Sequence, residues 1–179
     1  LIEKSNVSHI FTTNEVFDDL STFVKIKEKG YKFKVIPAFR ADKIMNIEAE
    51  KYNDFVGLLG QIDNRDALEG KLEERLQEFI KVGTTASDIA LEGVYPIADK
   101  ADANEIFIKR RQGNAVTEDE SKIFKGYLTY FLFKLYAKYG IATELHIGAM
   151  RNNNSVMLAK LGLDKPVFVA TSAYGHFGR

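Results

Sequence analysis

Hydrophobic positions along the chain follow two periods in alternation, the two-residue repeat of strands and the 3.6-residue repeat of helices. Val7 to Thr13 reads as a buried strand, after which Phe17, Leu20, Phe23, Val24 and Lys27 recur at helical spacing up to a stop at Gly30. Phe33 to Phe39 is a second apolar run, and Pro37 within it argues for an irregular strand rather than a helix. A helix is expected from Asn46 to Gly60. Leu68, Leu72, Leu76, Phe79 and Ile80 then stripe one face of another, with Asn64 or Asp66 as its cap and Gly83 as its end. Thr84 to Leu91 reads as a third strand carrying Asp88 near its C-terminal end. Ala101 to Gln112 is helical up to Gly113. Thr117 and Glu120 have the spacing of a capping box, in which the Thr hydroxyl accepts from a backbone N–H three residues on and the Glu reaches back. The helix so opened runs to Gly140 and is rich in aromatic residues, which fits packing against a neighbouring layer better than stacking on a ligand. A fourth strand follows at Ala142 to Ile147, then a helical stretch from Ser155 to Leu161.

Strands separated by helical connections are the units of a parallel sheet, so the expected class is α/β. The order fits a partial TIM-type (β/α) barrel, with a helical excursion before the last main strand. At 179 residues the chain is shorter than the roughly 250 that a closed barrel usually takes.

Composition narrows the classes of function. The 25 basic and 25 acidic residues cancel, so no long-range field draws nucleic acid or an anionic membrane surface to the chain. Every apolar stretch is interrupted by charge before the roughly 18 to 20 residues a bilayer span needs. With no cysteine there is neither a disulfide nor a thiolate metal site, which fits a cytoplasmic setting and leaves any metal to imidazole and carboxylate. The start, Leu1-Ile-Glu-Lys-Ser5, has neither an initiator Met nor a signal-peptide pattern, and suggests a piece of a larger protein.

Polar groups with chemical potential gather where strands are expected to end, the place where βα loops of a barrel converge. Arg40 could grip a carboxylate with two parallel hydrogen bonds, or form a salt bridge to Asp42, which is better placed to orient the arginine than to touch a ligand. Asp88 could be a ligand, a general base or the cap of the next turn. His146 could hold a divalent metal or polarise a substrate oxygen, or be an ordinary structural histidine at a strand end. Arg151 and the amides Asn152, Asn153 and Asn154 follow it at once. Lys109-Arg-Arg111 is a basic run at a helix end, where positive charge suits the helix dipole, with phosphate binding as the lesser alternative.

Four blocks in order carry a family resemblance. Thr143-Glu-Leu-His-Ile-Gly-Ala-Met-Arg-Asn-Asn-Asn154 resembles the Gln-Leu-His-Ile-Gly-Ala-Leu-Arg-Asn-Asn-Asn pattern of uronate (glucuronate) isomerases, members of the amidohydrolase superfamily. Val35-Ile-Pro-Ala-Phe-Arg-Ala-Asp-Lys-Ile-Met-Asn46, Ala86-Ser-Asp-Ile-Ala-Leu91 and Phe11-Thr-Thr-Asn14 are similar to three further blocks of that family. The resemblance covers residues 6–162 and implies aldose–ketose isomerisation of hexuronates: D-glucuronate with D-fructuronate, and D-galacturonate with D-tagaturonate. It implies Asp88 and His146 as catalytic groups, Arg40, Arg151 and Thr13 as substrate-binding groups, and His146 as a candidate ligand of a divalent metal, zinc in the complete family enzyme. The His-x-His pair and final Asp that the superfamily implies are missing: His9, His146 and His176 are the only histidines. Ile89 stands where the family block has His, and Asn14-Glu15-Val16 where it has Asp-Asp-Pro. A noncatalytic structural fragment or assembly subunit is therefore the competing reading, and the isolated chain is expected to be inactive, completed by the remainder of a barrel or by a homo-oligomer. Residues 163–179, ending Thr171-Ser-Ala-Tyr-Gly-His-Phe-Gly-Arg179, instead resemble the C-terminus of S-adenosylmethionine synthetase. They form an atypical tail after a barrel segment at 1–162, and suggest a synthetase fragment as a third, lesser reading.

Overall fold

Four parallel strands lie side by side in chain order in a computed structural model that describes residues 2–148. The strands are β1 (His9–Glu15), β2 (Lys34–Arg40), β3 (Ala86–Leu91) and β4 (Ala142–Ile147). Between them come α1 (Ser21–Glu28), then α2 (Asp42–Met45), α3 (Tyr52–Gly57) and α4 (Arg65–Val82), and finally α5 (Lys100–Arg111) and α6 (Glu118–Tyr139). The expected α/β class, the parallel order and the helical excursion before β4 all hold. Arg151, the Ser155 to Leu161 helix and the boundary at residue 162 lie outside the described residues.

Local chemistry explains most boundaries. Asn64 caps α4 by accepting from the Ala67 N–H, and Gly83 ends it at φ 112°, a conformation that disfavours side chains with a Cβ. The capping box at the start of α6 forms as expected, with Thr117 accepting from the Glu120 N–H and Glu120 accepting from the Thr117 N–H. The helix expected over Asn46 to Gly60 is instead a turn after α2 followed by one short helix, α3. Arg110 donates to the carbonyls of Ile47 and Ala49 at 3.0 and 2.8 Å, while the Glu48 carboxylate turns away to Ser121 and Lys125. Tertiary partners have taken the acceptors that a continuous helix would use.

Pro37 shapes the middle of the sheet. β1 and β2 pair over seven residues, from His9 with Lys34 to Glu15 with Arg40, and β3 and β4 pair over six. Between β2 and β3 only Phe39 and Ser87 are in register. Proline has no N–H to give to a ladder, and its carbonyl accepts instead from the Thr84 hydroxyl at 2.6 Å.

One face of the sheet carries the core. Phe39 meets Phe79 of α4 and Tyr136 of α6 edge-on, at centroid distances of 5.1 and 6.2 Å, and Ile89 is fully buried. Farther out, Tyr52, Phe107 and Phe124 form an aromatic cluster joining α3, α5 and α6. The aromatic content of α6 thus serves packing. The basic run is likewise occupied: Lys109 pairs with Glu120, Arg110 holds the turn after α2, and Arg111 donates to the Ile62 and Asn53 carbonyls.

Candidate functional site

Side chains alternate across a strand, so the register decides which groups share the face opposite the core. Glu15 is level with Arg40, Phe39 with Ser87, and Asp88 with Glu144. Thr13, Glu15, Arg40, Asp88, Glu144 and His146 therefore all project from one face, at the end where β2 stops. Asp88 corrects the sequence reading in one respect. It is the third of six residues in β3 rather than near the strand's C-terminal end, because β4 pairs β3 along its whole length and carries it beyond the last residue of β2. It caps no turn.

Asp88 is the hub of the cluster. Its Oδ2 accepts from the Thr13 hydroxyl at 2.8 Å, across β2, where Ala38 is level with Thr13 and puts only a methyl in the way. The Arg40 Nη1 lies 4.0 Å from the same oxygen. Its Oδ1 is buried with no hydrogen-bond partner, and the His146 Nε2 lies 3.3 Å away, with the Glu144 Oε1 3.4 Å from the same nitrogen. The structure therefore brings Thr13, Arg40, Asp88 and His146 together.

Arg40 is held from one side. Asp42 accepts from its Nε at 2.8 Å and approaches Nη2 at 2.6 Å, both through Oδ2. Burial alone would lower the guanidinium's pKa, but the hydrogen bond to Asp42 and the negative charges of Asp42, Asp88 and Glu15 together outweigh it and keep Arg40 charged. What remains is the outer edge, Nη1 and the second Nη2 hydrogen, which is still a two-pronged donor.

Glu15, at the end of β1, was visible in the sequence only as a departure from the family block, although its two-residue spacing from Thr13 put it on the same face. Burial pushes its carboxyl above the ordinary range, and Lys43 at 3.6 Å offsets only part of that. Lys43 itself sits over the rings of Phe17 and Phe55 at 5.4 and 5.2 Å. Glu144 was missed in the same way, two residues before His146 on an exposed strand.

His146 offers one imidazole, and among the described residues no three His, Asp or Glu side chains are placed to hold a metal ion together. This donor set does not complete a metal site. Among the same residues no helix is long and apolar enough to cross a membrane.

The family model for glucuronate isomerase matches residues 1–171. The chain is 39% identical over 171 residues to the uronate isomerase of Clostridium acetobutylicum, a match that covers 92% of this chain and 37% of the relative. It is equally similar to that of Caldanaerobacter subterraneus, with the same coverage. Among solved structures, uronate isomerase from Thermotoga maritima superposes with a TM-score of 0.83 at 26% identity, over 90% of this chain and 37% of that one. Glucuronate isomerase from Caulobacter crescentus shares the fold, with a TM-score of 0.80 at 22% identity over 88% and 34% of the two chains. The chain thus spans little more than a third of the length of these relatives. The family match runs into the tail as far as Thr171, and the resemblance of that tail to S-adenosylmethionine synthetase receives no support.

Proposed function

Because the chain belongs to the glucuronate isomerase family, we propose that its polar sheet face is one side of the substrate site of a hexuronate isomerase. The observation that supports this reading best is the convergence of Arg40 and His146 on the two oxygens of Asp88. The reaction moves a hydrogen between C1 and C2 of a sugar acid, so it needs a base at carbon, an acid at the carbonyl oxygen and a grip on the distant carboxylate. Asp88 Oδ1, which lacks a hydrogen-bond partner, is the acceptor for the proton leaving C2. His146 gives a proton to the C1 oxygen as the enediol forms. Return of the carbon-bound proton to C1, with loss of the O2 proton to the imidazole, completes the ketose and restores both groups. The outer edge of Arg40, with Arg151, binds the substrate carboxylate. Thr13 donates a hydrogen bond from its hydroxyl to Asp88 Oδ2 and retains its oxygen as an acceptor for a sugar hydroxyl.

D-Glucuronate and D-galacturonate, with their ketose partners, are the proposed substrates. A divalent metal, zinc by family expectation, would need ligands beyond this cluster, and the setting is cytoplasmic. In the full protein, Asp88→Asn and His146→Ala should each lower kcat for D-glucuronate by about 100-fold or more, the range general acid–base catalysis supplies. Unchanged turnover in His146→Ala would remove it from the mechanism. Chain 1–179 alone, supplied with zinc or manganese, should show no turnover, and turnover abolished by His146→Ala would overturn that expectation.

A further inference from the structure

Asp42 does more than balance Arg40. It is buried, at 8% exposure, and its two oxygens serve different strands: Oδ2 holds the Nε and Nη2 side of Arg40 on β2, and Oδ1 accepts from the Ala90 N–H on β3 at 3.1 Å. β2 has already ended at that level, so the β2 backbone offers this amide no ladder partner, and the Asp42 carboxylate stands in for one. As the first residue of α2, Asp42 is in turn anchored through the turn that follows, where Arg110 takes the Ile47 and Ala49 carbonyls and Lys125 takes Glu48.

We infer that Asp42 is a positioning residue for ligand binding: it locks the Arg40 guanidinium to the backbone of the strand that bears Asp88, and so fixes the distance between the carboxylate grip and the proton-transferring pair. The ligand-binding half of this inference rests on the hexuronate reading above. The lock itself rests on geometry alone. Arg40 can turn only by giving up two donors to a buried carboxylate, so its outer edge stays aimed at the ligand.

The test uses the full protein and two variants, Asp42→Asn and Asp42→Ala. The first reading is solvent exchange of the Arg40 Nε–H in ¹⁵N-labelled protein, assigned by its loss in Arg40→Lys. Exchange should be at least tenfold faster in both variants, and unchanged exchange overturns the lock. The second is steady-state kinetics on D-glucuronate. KM should rise at least tenfold while kcat stays within threefold, because the carboxylate lies away from the reacting carbons. A fall in kcat with KM unchanged, or no change in either, overturns the positioning role even where the Nε–H exchange has quickened. If the unaltered protein turns over no hexuronate, the functional reading fails by itself, the kinetic half of the inference falls with it, and the exchange measurement still decides the lock. If Asp42→Ala does not fold, Asp42→Asn carries the test, since it keeps the shape and an acceptor for the Ala90 N–H.

Discussion

Arg40 shows how far one residue's role depends on its neighbours. An isolated arginine invites the reading that its fork meets the substrate side-on, but Asp42 has that side, and only the outer edge is left. A lysine has one nitrogen and serves either Asp42 or a ligand. Arg40→Lys is therefore expected to raise KM for D-glucuronate by about 10- to 100-fold, matching the loss of one charge-assisted hydrogen bond worth about 1.5–3 kcal/mol. A KM within twofold of the unaltered protein would show that Arg40 does not bind the substrate. Glu15 gives a prediction in pH. Its carboxyl is raised above its ordinary value of 4.5 in the folded chain by burial, so folding favours the protonated form. The stability this provides is complete below 4.5 and is lost as pH rises through the raised value. Glu15→Gln, which mimics the protonated state, should therefore raise Tm at pH 7 and change it little at pH 4. An equal shift at both pH values would place the effect elsewhere. Glu48 has the opposite sign: burial raises its pKa, the bonds from Lys125 and Ser121 more than offset that, and its contribution is lost as pH falls below 4.5.

Among elements, two of the helical glycines have opposite meanings. Gly70 in α4 has open space where a Cβ would go, whereas a Cβ on Gly126 in α6 would lie 2.0 Å from the Pro96 carbonyl oxygen. Gly70→Ala should stabilise the protein by about 0.5–1 kcal/mol through helix propensity. Gly126→Ala should destabilise it by about 1–3 kcal/mol, as the loop after β3 is pushed off α6. Denaturant unfolding checks both, and equal effects would refute the close approach. The sequence made most elements legible because caps and stops are local: Asn64, Gly83, Thr117, Glu120 and Gly140 all act within a turn of their own position. The Asn46 to Gly60 helix was misread because what breaks it is Arg110, about 60 residues away. Asp88 was misplaced along its strand because the length of β3 depends on β4, which no local pattern encodes. The candidate site was legible in its residue types, and in the order of its blocks. Asp42's second bond, to Ala90, arises from where β2 stops and could not be read from spacing.

At the scale of the molecule, the described residues form one four-stranded sheet whose outer strands, β1 and β4, carry exposed apolar side chains, Phe11 on one and Leu145 and Ile147 on the other. Apolar side chains exposed on the outer strands of a sheet promote association. Chain 1–179 alone is expected to self-associate at micromolar concentration, and Ile147→Lys should reduce this with little change in unfolding free energy, as seen by light scattering beside a denaturant melt. Association indifferent to that substitution would point to another surface. The near-absence of pairing between β2 and β3 has a consequence of its own. The sheet is effectively two tightly laddered doublets joined along a thin seam, and the candidate site straddles it, with Arg40 on one doublet and Asp88 and His146 on the other. Amide deuterium exchange should then resolve two opening units, β1 with β2 and β3 with β4, of different free energy, whereas a single common value would deny the seam. Opening along it would move the grip on a ligand's carboxylate away from the groups that exchange protons with its carbons, without unfolding either doublet. The span between binding and chemistry would then be set largely by a few side-chain bonds, and those bonds can yield while the backbone ladders hold.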